Sequence, residues 1–192
     1  MLASPILKIR STPDFGSTFW DKPPSRVGGE RAFSSFGSVA VANDNTESIE
    51  RMLSDRFLAA QRELRSLAMH LPNELVVRIL KQLRILLDPA DWDEDDTPLS
   101  LVSFRSFVRA MAVLQPMHRP MLALSDAGNV IAMWAAGDAR FTLEHLVADE
   151  LRWYVRQNAT GHLDVASGVT NIALLQGIVD AHNVRPLLDG QG

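Results

Sequence analysis

"PMLALSDAGNVIAMWAAGDARFTLEHLVADELRWYVRQ" occupies residues 120–157, and its period decides the fold. Val130, Ala132 and Trp134 fall on every second position. Phe141, Leu143 and His145 alternate with Thr142 and Glu144, and Leu151, Trp153 and Val155 alternate with Arg152, Tyr154 and Arg156. Successive side chains of a strand point to opposite faces, so this pattern predicts strands with one apolar side. The segments are separated by "SDAGN", "AAGDA" and "VADE", where Asp126, Gly128, Gly137 and Asp138 supply the conformations of tight reversals. The expectation is a four-stranded antiparallel meander over 120–157, one face of which a second layer must cover.

Upstream, the period changes from two to between three and four. "SLVSFRSFVRAMAVLQP" predicts a helix capped by Ser100 or Ser103, with Phe104, Phe107, Val108, Met111 and Leu114 on its buried face and Pro116 past its end. This helix is the nearest cover for the sheet. Further back, Ile49, Leu53, Phe57, Ala60, Leu64, Leu67 and Leu71 form one apolar stripe on a long helix, with Asn45 or Thr46 as its cap. Pro72 breaks it, because a proline disfavours the helical conformation of the residue before it and suits the start of a new helix. The next helix carries Leu75, Ile79, Leu83 and Leu86 on its apolar side, widened by Val76, Leu80 and Leu87. Two amphipathic helices so closely joined fold back as a hairpin. A homodimer through helix 46–70 is the alternative use of the long stripe.

Between the second and third helices lies "DPADWDEDDTPLS", residues 88–100. Asp88, Asp91, Asp93, Glu94, Asp95 and Asp96 surround Trp92. Asp91, Asp93 and Asp95 have the spacing that opens a calcium loop. The loop's sixth position is Asp96 where glycine is needed, and its twelfth is Val102 where a bidentate glutamate is needed. The remaining readings are a solvated linker and a contact for a cationic partner. Dense like charges repel, so such a partner relieves repulsion as well as adding attraction. Trp92 is then either a core residue or an interface anchor.

Residues 1–45 read as a flexible arm rich in Ser, Gly and Pro, too poor in apolar surface to offset ordering entropy. Phe15, Phe19, Trp20, Phe33 and Phe36 punctuate it, and Phe19 and Trp20 are candidates for partner contact. The domain is expected over 46–160, with helices over 46–114. Residues 161–192 read as a C-terminal segment with a short helix around Ile172–Ala181 and a frayed end.

The 192-residue chain carries 19 Lys and Arg against 23 Asp and Glu, a formal charge of -4, which gives no general pull toward nucleic acid or anionic membrane. It has no cysteine, so disulfides, thiolate metal sites and a cysteine nucleophile are all excluded. No apolar run approaches the roughly 18 residues of a membrane span. The basic residues Lys8 and Arg10 follow the first apolar patch instead of preceding it, unlike a secretory signal. A soluble, cytoplasmic protein is expected.

Catalytic patterns are missing. His70, His118, His145, His162 and His182 form no HxH or HExxH motif, and Glu144 and His145 point to opposite faces of one strand. There is no GxSxG elbow, Walker loop or GxGxxG. No cofactor, metal or catalytic residue is expected. Arg105, Arg109, His118 and Arg119, or Tyr154 between Arg152 and Arg156, are the only features suited to nucleic acid. A solvated outer sheet face is the simpler reading of the second group.

The order "VANDN", "LPNELVVRILKQL", "DWDEDD", "SFRSFVRAMAVL", "RPMLALSDAGNVIAMW", "RFTLEHL", "LRWYV" resembles a group of small, mostly uncharacterised alphaproteobacterial α+β proteins over about residues 40–157. The resemblance implies a helical front, an acidic tryptophan loop and a Trp-bearing meander. It implies no catalytic residues, and points to a partner of another small protein in the manner of an antitoxin. The expected function is a non-catalytic protein-interaction module, antitoxin-like or an accessory subunit, binding a basic protein through Asp91, Trp92, Asp93, Glu94, Asp95 and Asp96, the aromatic arm, or the exposed edge of the sheet. The alternatives are a nucleic-acid-contacting regulator and an enzyme of unknown type.

Overall fold

The computed structural model describes residues 42–92, 96–159 and 162–190. The arm residues up to 41, including Phe19 and Trp20, and the loop residues Asp93, Glu94 and Asp95 lie outside them. The architecture is α+β. Helices α1 (Ala42–Ser66), α2 (Asn73–Leu86) and α3 (Leu101–Leu114) precede strands β1 (Met121–Leu124), β2 (Val130–Ala136), β3 (Ala139–His145), β4 (Glu150–Ala159) and β5 (His162–Asn171). Two short helices, α4 (Leu175–Ala181) and α5 (Arg185–Asp189), close the described chain.

The sheet is an antiparallel meander in the order β1-β2-β3-β4-β5. It has five strands, where the sequence reading gave four. The fifth comes from the segment read as a C-terminal tail. It pairs with β4 over ten positions, from Glu150 opposite Asn171 to Ala159 opposite His162. Its composition, "HLDVASGVTN", has only three large aliphatic residues, too few to register as an apolar strand beside the richer segments before it. The pairing is supplied by β4, whose long edge offers the backbone a complete ladder.

The register places Leu122, Ala132, Leu143, Trp153 and Gly168 in one row across the sheet. This inner face joins the helical core, where Trp134, Phe104, Phe107, Phe141, Leu143 and Met111 are almost wholly buried. Trp134 stacks on Phe141 with centroids 5.8 Å apart, and its indole N–H donates to the His118 carbonyl at 2.9 Å. Gly168 lies under the Trp153 ring, where a Cβ would come within 3.0 Å of the indole.

Helix α3 is the cover that its apolar face predicted. Ser100 caps it, accepting from the Ser103 N–H at 3.3 Å, and Gln115 ends it in the left-handed conformation. The expected hairpin is only part of the helical arrangement. Helix α1 packs against both α2 and α3, and α2 reaches the sheet at β1, where the Gln82 side chain bonds Pro120 O and Leu122 N. The α1 stripe is thereby used within the chain: Leu53, Ala60 and Leu64 are buried, and Ile49, Met52, Phe57 and Leu67 pack against the core. Helix α1 begins at Ala42, so Asn45 and Thr46 lie inside it instead of capping it. Once packing nucleates a helix, each added residue costs only tenths of a kcal/mol, roughly, in propensity.

The C-terminal helices complete the core instead of fraying. Leu175, Val179, Val184 and Leu188 have no exposed surface. Helix α5 is fastened to the end of α3 by Arg185, which donates to Leu114 O at 2.8 Å, and to His118, whose N–H donates to Leu188 O at 2.7 Å.

One hydroxyl joins three elements. Buried Ser103 of α3 donates to the His145 carbonyl at 2.6 Å and accepts from the Val130 N–H at 2.7 Å. Ser103→Ala would leave a buried N–H and a buried C=O without this partner. We expect it to lower unfolding stability by about 2 kcal/mol, read as a lower urea midpoint with an unchanged slope. An unaltered midpoint would show that the hydroxyl contributes nothing net.

Candidate functional site

The acidic tryptophan loop leaves α2 through a single 3-10 turn, Pro89–Asp91. Asp88 caps this turn, its carboxylate accepting from the Ala90 N–H at 3.1 Å. Asp88 is therefore a local structural group, as an aspartate ahead of a proline-started turn should be. Asp91 is exposed, and Asp96 is partly buried where the chain turns toward α3. Asp93, Glu94 and Asp95 belong to the undescribed part of the loop.

Trp92 is half-buried. Its ring packs on the helical core, and its indole N–H donates to Leu86 O at 3.1 Å. That carbonyl belongs to the last turn of α2, where helix carbonyls lack an intrahelical donor. The tryptophan thus ties the acidic loop back onto the helix it has just left. Of the two roles read for Trp92, the structure supplies the core contact.

Arginines of both groups are paired with carboxylates of the protein itself. Arg105 forks onto both carboxylate oxygens of Glu63, whose carboxyl its hydrogen bonds hold below the usual range. Arg109 donates to Asp149 at 2.7 Å. That contact pins the β3–β4 turn, where Ala148 and Asp149 both hold positive φ without a glycine. The charges of Arg105 and Arg109 are thus matched within the protein.

On the outer sheet face, Arg152 donates to Glu144 at 2.8 Å, and Asn129 donates to the same carboxylate at 3.2 Å. Glu144 is 5% exposed and Tyr154 8%. A tyrosine so enclosed has no ring face to offer a base. The solvated outer face expected from the sequence is therefore corrected at its centre. Thr142, Glu144, Ile131 and Tyr154 are all buried, and the apolar two lie outside the helix-packed core cluster. Cross-strand neighbours and a satisfied carboxylate close over positions that alternation alone assigns to solvent.

The same face opens toward its β5 side. Leu163, Val165 and Val169 are 55%, 50% and 61% exposed and lie on that face in register with Asn158, Arg156 and Arg152. The sequence held a signal for this row, since the three fall at even spacings. Ser167, Gly168 and Asp164 dilute it below the level that marks a strand.

A cleft of about 150 Å³ is lined by Gln82, His118, Arg119, Met133 and Trp134 among others. Both ends of the Gln82 amide and the Trp134 N–H are already bonded to backbone. Among the described residues no three His, Asp or Glu side chains converge on a common point, and no helix is long and apolar enough to cross a membrane. His145 is wholly buried, with its ring edge-on to Phe107 at 5.4 Å. Neither ring nitrogen has a hydrogen-bond partner among the described residues, and burial pushes its pKa down to about 3.

Comparison with family models, with curated proteins and with solved structures finds no match to this chain.

Proposed function

We propose that this chain is a non-catalytic protein-interaction module, antitoxin-like or an accessory subunit, whose acidic tryptophan loop receives a partner with a basic surface. The observation that carries the reading is the anchoring of Trp92 to Leu86 O and to the core. A loop tethered at Trp92 is held to the folded domain at one point. That lowers the ordering cost of binding, which an untethered acidic linker would bear in full. The aromatic arm, through Phe19 and Trp20, is a second contact region in this proposal.

The test is capture of binding proteins from a lysate of the native host by tagged full-length chain and by a variant with Asp93→Lys, Glu94→Lys and Asp95→Lys. A basic partner should be held by the first, be lost from the second by about tenfold or more, and weaken with added salt. Equal capture by both would remove the loop from the proposal.

A further inference from the structure

Strand β5 is the outermost strand of the sheet. It has β4 on one side and, among the described residues, no strand on the other. An edge of ten residues presents a row of backbone donors and acceptors, and proteins ordinarily protect such rows with lysine, proline, a bulge or a covering helix. β5 contains no lysine and no proline, and β4 is the one element against which it packs extensively. Its only carboxylate is Asp164. Leu163, Val165 and Val169 stand exposed along it. Among the described residues the edge is thus open, and it is apolar on one face.

We infer that β5 pairs antiparallel with β5 of a second copy of this chain, with Ser167 on the two-fold axis, so that the two sheets join into one. This concerns a different surface from the acidic loop and does not depend on it. The occupant follows from self-complementarity. A two-fold axis normal to the sheet keeps each face continuous, so residues of one face must meet residues of the same face. With Ser167 opposite itself, Val165 meets Val169 twice on the outer face. On the inner face Ala166 meets Gly168 twice, so no bulky side chain obstructs the approach. Asp164 falls opposite Thr170, whose hydroxyl can donate to it, and no like charges meet. Aliphatic pairs directly opposite one another are the favourable unit of sheet association.

The absence of cysteine makes the register directly testable in the full-length protein. Ser167→Cys would place its only thiol opposite its own copy, within the roughly 4.4–6.8 Å between Cα atoms that a disulfide accepts. Val165→Cys is equally a surface position, but its two copies would stand about 13 Å apart along the strands, beyond bridging. The expected result is a solution mass of twice the 21.2 kDa protomer, rapid oxidation of the Ser167→Cys protein to a covalent dimer, and none for Val165→Cys. A wild-type chain that stays monomeric at its highest soluble concentration overturns the inference, whether the edge serves another protein or stays open. A dimer whose Ser167→Cys form does not cross-link overturns it as well, as does equal cross-linking at both positions. Val165→Glu with Val169→Glu should give a folded monomer by circular dichroism and light scattering, and a folded double variant that remains dimeric also counts against the pairing.

Discussion

Between pH 7 and pH 4 the unfolding free energy should fall by about 3 kcal/mol on account of His145 alone. The ring is wholly enclosed, edge-on to Phe107, and neither nitrogen has a partner among the described residues. Protonation there would place a charge in an apolar site, so burial holds the folded pKa at about 3 against an ordinary value of 6.5. The sign follows from the depressed folded value. Above pH 6.5 the histidine is neutral in both states and contributes no pH dependence. As pH falls below 6.5 the unfolded chain binds a proton that the folded chain refuses, and stability is lost at up to about 1.4 kcal/mol per pH unit. The loss levels off only near the folded value.

The measurement is urea unfolding at a series of pH values for the wild type and for His145→Phe, which keeps a ring against Phe107. Carboxylates contribute to acid lability in both proteins, Glu63 among them, so the difference between the two profiles isolates the histidine. The variant should lose markedly less stability between pH 6.5 and pH 4. Parallel profiles would mean that the ring is reached by water or by a bonding partner, and the enclosed site would have to be abandoned.

Gly128→Ala should cost about 3 kcal/mol, against about 1 kcal/mol for Gly137→Ala. Both glycines sit in hairpin turns with positive φ, +72° and +55°, where an alanine is strained. They differ in what surrounds them. A Cβ at Gly137 would meet nothing within 4 Å, whereas at Gly128 it would lie 2.2 Å from the Pro98 carbonyl oxygen. That oxygen is backbone and has little room to yield. The Gly128 carbonyl also accepts from the Ser100 N–H at 2.9 Å, and Ser100 caps α3. Pushing the 97–100 segment away would therefore strain the β1–β2 turn and the start of the covering helix together. Thermal or urea unfolding of the two variants side by side checks this. Equal losses would show that conformation alone, and not the packing of the turn on Pro98, sets the requirement at Gly128.

The contrast between those glycines marks the limit of reading this chain residue by residue. "SDAGN" and "AAGDA" announce tight reversals equally well, because a glycine's freedom at positive φ is a local property. That one turn would dock on the segment thirty residues before it is not. The acidic loop divides in the same way. Its charge is plain in "DWDEDD", but the bond from Trp92 to the end of α2 depends on how the chain reverses at Pro89.

Whatever rests on period and on the chemistry of neighbours was set by the sequence itself. That includes the apolar stripes of α1, α2 and α3, the cap at Ser100, the break at Pro72, the inward rows of β2, β3 and β4, and the lack of any thiol. Tertiary structure alone decided what depends on residues far apart in the chain. It recruited "HLDVASGVTN" as a fifth strand because β4 had an edge to fill. It buried Thr142, Glu144 and Tyr154 on a face that alternation gives to water, and enclosed His145 behind Phe107. The reason is physical: local propensity fixes which way a side chain points along its own element, but its exposure is fixed by what the rest of the chain lays against that element.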